Sequence, residues 1–344
     1  MTYDDDDGVL VTGTGFALSG VDRAADLWTC PSARFKEPFE PADRLGGRRL
    51  RYKDRATRLG LAAVHQVLRD ARLQADGGGL TVPGESTGVV VSSNLGNVDA
   101  VCAAAETIAS DTAAAVSPME LPNTASNVIA SWIAIRFGLR GASLTLCNGP
   151  TSGLDALFWA WALVRAGRVE RAVVVGVEPT GTAARLLAAA HDRRPDDGAR
   201  LLDGAVALVA ESARAARRRG IPATAALSGF ARRADLHEAV ARARGPDGPP
   251  VGVWLVPEGG SVPTPEGLHG VHTRDLSTDV GHCSGALGVL QCAAATAYLS
   301  RGGPGCVLAT AGGHDDDDAA AAVVLTAPAP SDDFVPGPSA LEGR

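Results

Sequence analysis

The feature that most constrains this 344-residue chain is a supersecondary unit that occurs twice. Residues 144–178 read as a strand, a small-residue turn (Asn148-Gly149-Pro150-Thr151-Ser152-Gly153), an apolar helix over 154–165 and a strand over 172–177. Residues 281–313 repeat the order with a Gly-His-Cys-Ser-Gly turn, an alanine-rich apolar helix reaching Ser300 and a strand over 306–309. Ser152 to Gly167 spans 15 residues and Ser284 to Gly302 spans 18, so the two units match in length as well as in order. Such self-similarity predicts duplicated halves. Both helices are apolar nearly all round, which is the pattern of a helix enclosed by other elements, and they are expected between sheets in the middle of the protein. The first half would close with a strand over 205–210. The second would open at 223–229, after a basic linker over 212–220.

The remaining elements fit the same class. Residues 8–14 read as a buried strand entering a glycine turn, and a long loop with Pro31, Pro38 and Pro41 follows. Over 51–73, apolar Leu59, Leu61, Ala62, Val64, Val67 and Leu68 recur at helical spacing opposite Arg and Asp. Residues 88–93 form a second apolar strand and 127–137 a further helix. Strands alternating with helices predict an α/β fold with a largely parallel sheet.

Charge and cysteine usage narrow the function classes. Asp plus Glu outnumber Lys plus Arg by 39 to 32, for a net charge of -7, which argues against a protein that tracks nucleic-acid phosphates. No apolar run approaches the roughly 20 residues of a membrane span, and residues 4–7, all Asp, stand where a leader peptide would carry basic residues. A cytoplasmic protein that meets no membrane is expected. The six cysteines are widely spaced with no CxxC pair, as reduced cytosolic thiols are. No zinc site is expected. His65, His191, His237, His269, His272 and His314 show no metal-ligand spacing, and the Asp runs at 4–7 and 315–318 lack the alternating ligands of a calcium loop.

Five segments, in order, carry a resemblance: Val11-Thr12-Gly13-Thr14-Gly15, Arg51-Tyr52-Lys53-Asp54-Arg55, Phe137-Gly138-Leu139-Arg140-Gly141-Ala142-Ser143-Leu144-Thr145, Asp203-Gly204-Ala205 and Gly281-His282-Cys283-Ser284-Gly285-Ala286-Leu287-Gly288. Together they resemble the β-ketoacyl-acyl carrier protein synthase family. That resemblance implies an α/β thiolase fold of duplicated αβαβα halves with buried central helices, here an N-terminal half over 1–220 and a C-terminal half over 221–344. It also implies a nucleophilic Cys at the turn before the first buried helix, at 147–153, and two histidines from the second half. A helix start favours a thiolate, and nearby donors stabilise the enolate and oxyanion of condensation.

Carried across residue by residue, the nucleophile position falls on Pro150. The first histidine position falls on Glu258, and the lysine expected five residues before the second histidine falls on Ser277. His282, in the turn at 281–285, is retained. Groups that act as a unit fail as a unit, so condensation by this chain alone is not expected. Among relatives without the cysteine, Ser152-Gly153-Leu154-Asp155-Ala156-Leu157 most resembles the chain-length factor of type II polyketide systems. Such a subunit forms a heterodimer with an active ketosynthase, meets acyl carrier protein with its growing acyl chain in that complex, and needs no diffusible cofactor. Two departures stand: the Gln usual near the lost nucleophile is not seen, and His282 is kept where many such subunits lose it.

Competing readings remain open on these residues. Cys147 with His282 could form a relocated site for an acyl-thioester acyltransferase, hydrolase or decarboxylase, against the plainer expectation of a thiol buried at a strand end. The chain could also be a homodimeric acyl-binding scaffold. Thr151 and Ser152 stand where a hydroxyl caps a helix. His282 reads equally as a donor to a bound carbonyl or as a partner for buried backbone groups. Trp159 and Trp161 are expected as packing residues on an enclosed helix. The arginines of 214–219 either attract an acidic carrier protein or simply end a helix favourably.

Overall fold

A computed structural model describes residues 8–29, 38–46, 50–191, 200–260 and 262–329. The Asp run at 4–7, Cys30 and Pro31 lie outside the described residues. Ten strands form one sheet: β1 (Val9–Ala17), β2 (Thr87–Ser92), β3 (Ser143–Leu146), β4 (Arg171–Glu178), β5 (Gly204–Ser212), β6 (Ala225–Arg233), β7 (Val251–Leu255), β8 (His272–Arg274), β9 (Cys306–Gly312) and β10 (Ala320–Thr326), in the order β3-β2-β4-β5-β1-β6-β10-β9-β7-β8. Read outward from the centre, one arm runs β1, β5, β4, β2, β3 and the other β6, β10, β9, β7, β8, which is the same order displaced by five strands.

Strand direction repeats as well. In each arm the inner pairs are antiparallel (β1 with β5 and β5 with β4; β6 with β10 and β10 with β9), and the outer pairs are parallel. The arms meet through a short antiparallel contact of Val9–Val11 with Ala225–Leu227. The expectation of a largely parallel sheet is therefore corrected to a mixed one. Buried strands read as continuous apolar runs whichever way their neighbours point, so the direction was not written in the pattern.

The main helices are α1 (Arg55–Asp70), α2 (Val98–Ser110), α3 (Val128–Phe137), α4 (Ser152–Arg165), α5 (Thr182–His191), α6 (Ala213–Arg219), α7 (Leu236–Arg244) and α8 (Leu287–Ser300). Helix α1 starts four residues later than its apolar pattern allows. Tyr52 takes a left-handed φ of 65°, and Asp54 then caps the helix by accepting from the Thr57 N–H at 2.6 Å. Residues 212–220, read as a linker, hold helix α6: the Ser212 hydroxyl accepts from the Ala215 N–H, and Gly220 ends the helix at a φ of 62°. Arg55 of the second resemblance segment grips Asp203 of the fourth through Nε and Nη2 at 2.7 and 2.5 Å, tying α1 to the start of β5.

Three apolar layers follow. Helices α1 and α3 pack on one face of the first arm, α4 and α8 fill the central layer, and α7 covers the outer face of the second arm. Helix α8 is enclosed as expected, with Leu287 to Ala297 buried throughout. Helix α4 is not. Its first six residues are buried, but Trp159 is 45% exposed, and Phe158 and Trp161 are only partly covered. An all-apolar helix in a single chain can thus keep one open face, which corrects the reading of Trp159 as a packed residue.

Candidate functional site

The two duplicated turns meet where α4 and α8 begin. A Cβ on Gly153 would lie 2.7 Å from the Gly288 N, and one on Gly288 would lie 2.4 Å from the Leu154 N, so the helices approach backbone to backbone and only glycine fits at the crossing. Asn94, just after β2, bridges the turns: its Nδ2 donates to the Gly149 carbonyl and to Ser284 Oγ, each at 2.9 Å. The sequence pattern marked the preceding strand but not this residue. The available signal was a polar run, Ser92-Ser93-Asn94, at the carboxyl end of an apolar strand, where open α/β sheets place their sites.

On the first side, Pro150 sits exposed in a single 3-10 turn, Gly149–Thr151, with Gly149 at a φ of 82°. Proline offers neither a nucleophilic side chain nor a backbone N–H to an oxyanion. The neighbouring hydroxyls are already engaged, though not as the helix caps expected of them. Thr151 Oγ1 donates to Asp155 Oδ2 at 2.8 Å, and Ser152 Oγ accepts from the Asn148 N–H while contacting the Asn148 and Asn94 side-chain oxygens. Asp155 also receives Asn148 Nδ2 at 2.5 Å and lies 3.5 Å from Arg232 Nε, and burial pushes its carboxyl pKa up.

Cys147, expected to be buried at the end of β3, is exposed there. The reason is the position of β3, which among the described residues closes the sheet on that side with β2 as its one neighbour. Partial desolvation and the Glu178 carboxylate raise the Cys147 pKa, and among the described residues its thiol makes no hydrogen bond. Such a thiol is largely protonated near neutral pH.

On the second side, two carboxylates hold the turn. Glu258, three residues past β7, accepts from the N–H of Cys283 in a very short contact and from that of Ser284 at 3.1 Å, and its Oε1 lies 3.2 Å from His282 Nδ1. The Glu258 carbonyl in turn meets His314 Nε2 at 2.8 Å. Glu178, the last residue of β4 and 2% exposed, accepts from the N–H groups of Gly285, Asn94 and Leu95 and from Ser93 Oγ. Burial outweighs these donors and raises its pKa to about 7. Glu178 was not singled out from sequence, because one acid ending an apolar strand looks like any solvated strand end. Ser277 starts a short turn and gives both its N–H and its hydroxyl to Asp275, so this position brings no cation near the turn. Cys283 is wholly buried, donates to the Gly281 carbonyl, and has its pKa raised well above the usual thiol value.

The chemistry follows from this arrangement. The consecutive N–H groups of residues 283, 284 and 285 all point at carboxylates. A helix start that could stabilise an incoming anion has its N–H donors here already taken by carboxyl groups of the chain itself. His282, half exposed, stands beside Glu258 at the same turn. Ser284 adopts a strained φ of 45° in the same turn.

With this geometry in view, the comparisons are specific. The family model described as Beta-ketoacyl synthase, N-terminal domain, matches residues 28–194. Over those residues the chain is similar to the N-terminal domain of the β-ketoacyl synthases. It is 28% identical over 219 residues to the 3-oxoacyl-[acyl-carrier-protein] synthase 2 of Vibrio harveyi, a match covering 58% of this chain and 51% of that enzyme, so the chain spans about half the length of that curated relative. Among solved structures, the ishigamide ketosynthase/chain length factor aligns with a TM-score of 0.72 at 22% identity, over 93% of this chain and 99% of that one. A type II polyketide synthase acyl-carrier protein in complex with its ketosynthase bound to the hexaketide aligns at 0.70 and 17% identity, over the same shares of the two chains. At these identities the likeness is one of fold, the thiolase-like fold of the β-ketoacyl synthases. Among the described residues, no helix is long and apolar enough to cross a membrane.

Proposed function

We propose that this chain is the non-condensing partner of an active ketosynthase, a cytoplasmic chain-length factor that helps shape the acyl tunnel and so sets polyketide or polyene length. One observation carries the reading: at the paired helix starts, a proline stands where the resemblance places the nucleophile, and two glutamates take three successive N–H groups. A thioester oxyanion formed there would find these N–H donors already bonded to carboxyl groups, so the stabilisation that condensation needs is missing.

The pairing surface is the open edge of β3 together with the uncovered face of α4. Among the described residues, the outer edge of β3 lacks a strand neighbour, Trp159 is 45% exposed and Ile135 72% exposed, and no residue of α2 is buried. An unpaired strand edge beside exposed large apolar side chains invites a partner. Next to it, a cavity of about 150 Å³ is lined by Leu157, Phe158, Trp161, Leu227 and Phe230, with Phe158 stacked on Phe230 at 4.5 Å. We read it as part of the wall along which the acyl chain lies. Acyl carrier protein meets the chain only in the complex, since of the arginines at 214–219, Arg218 and Arg219 are engaged with Glu170 and Glu211.

Co-expression with candidate ketosynthases from the same source, followed by size-exclusion chromatography with mass detection, tests the pairing. A one-to-one complex is expected. A stable homodimer that ignores every ketosynthase would favour the acyl-binding scaffold instead.

A further inference from the structure

Helix α7 carries a feature that the paired turns do not use. Its inner residues, Leu236, Ala239, Val240 and Ala243, pack on the sheet, while His237, Ala241 and Arg244 follow one another along a second face at spacings of four and three. That face and the loop Pro265-Glu266-Gly267 enclose a trough of about 650 Å³. Arg244 stands at its end. Its Nε is buried without a protein acceptor, and among the described residues its guanidinium takes part in no hydrogen bond or ion pair. Gly267, at a φ of 76°, borders it: a Cβ there would lie in ordinary contact, 3.5 Å from Arg244 Nη1.

A buried guanidinium nitrogen without an acceptor is unfavourable, and a fork of parallel N–H donors suits a planar or tetrahedral oxyanion. The carboxylates nearby do not fill this role. Glu238 is held by Arg233 Nε at 3.0 Å, and Glu266 is exposed at the rim. We propose that Arg244 anchors a binding site for the phosphate or carboxylate group of a small molecule in this trough, formed by the outer face of α7 and separate from the paired turns. His237 lines the far end, where it can donate to the same ligand, and Glu266 selects against highly charged anions by repulsion.

The probes are inorganic phosphate and acetate, titrated calorimetrically into the full chain at constant ionic strength set with chloride. Saturable binding of at least one is expected, weakened at least about tenfold in Arg244→Gln and strengthened in Glu266→Gln. Phosphate and acetate separate the two chemistries, since only the preferred headgroup saturates at low concentration. In chloride alone, Arg244→Gln should melt no lower than the parent, because the substitution removes a charge that the protein leaves unanswered. Three results would overturn the proposal: no saturable binding of either anion, equal binding by Arg244→Gln, or a marked loss of stability of that variant in chloride, which would mean that Arg244 is already a structural partner within the fold.

Discussion

At the scale of single residues, the account rests on two acids whose surroundings differ. Glu258 bonds two backbone N–H groups and sits against His282, so replacing it removes charge-assisted hydrogen bonds from a turn that already carries strain at Ser284. Glu258→Gln is expected to cost about 1.5–3 kcal/mol in urea unfolding with an unchanged m value. An unaltered midpoint would show that Glu258 does not hold the turn. Glu178 makes stability depend on pH. Its folded-state pKa of about 7 lies above the ordinary 4.5, so the folded protein binds the extra proton between these values. The stability this group contributes is complete below about pH 4.5 and is lost as pH rises through about 7. Measured against Glu178→Gln, which cannot ionise, the parent should lose on the order of 3 kcal/mol across that window. Parallel stability curves for the two proteins would contradict the assignment.

At the scale of elements, much of what the sequence spells out is periodicity, and much of what it leaves out is direction and exposure. The duplicated strand–turn–helix unit, the buried α8 and the apolar side of α1 were legible, because each is a repeated pattern whose physical reading is unambiguous. The antiparallel centre of the sheet was not, since a fully buried strand is apolar whatever its neighbours' direction. Nor was the open face of α4: Phe158, Trp159 and Trp161 are apolar whether a sheet or a partner covers them, and the sequence of one chain does not name the cover. The paired turns were half legible. Pro150, Glu258, Ser277 and His282 came from the resemblance, whereas Asn94 and Glu178 are isolated polar residues at strand ends whose role appears only when the strands are brought together. The exposed face yields a prediction of its own. Trp159→Glu should abolish association with a ketosynthase in size-exclusion chromatography while shifting the melting temperature of the isolated chain little, because nearly half of the side chain is already in water. Retained association would remove α4 from the interface.

At the scale of the whole molecule, the sheet shows a duplicated architecture whose two central helices start against one another. Glycines let the two helices touch, and carboxyl groups take the N–H donors beside the crossing. A fold can persist in this way when its geometry still serves a partner, since function lives in the site and not in the scaffold. The most direct test is intact-protein mass measurement after incubation with an acyl- or malonyl-loaded carrier protein, on this chain alone and in complex with a ketosynthase. The account predicts an acyl adduct on the partner's cysteine and none on this chain in either case. An adduct on this chain that disappears in Cys147→Ala or His282→Ala would contradict it, and would mean that the active site has moved rather than been lost.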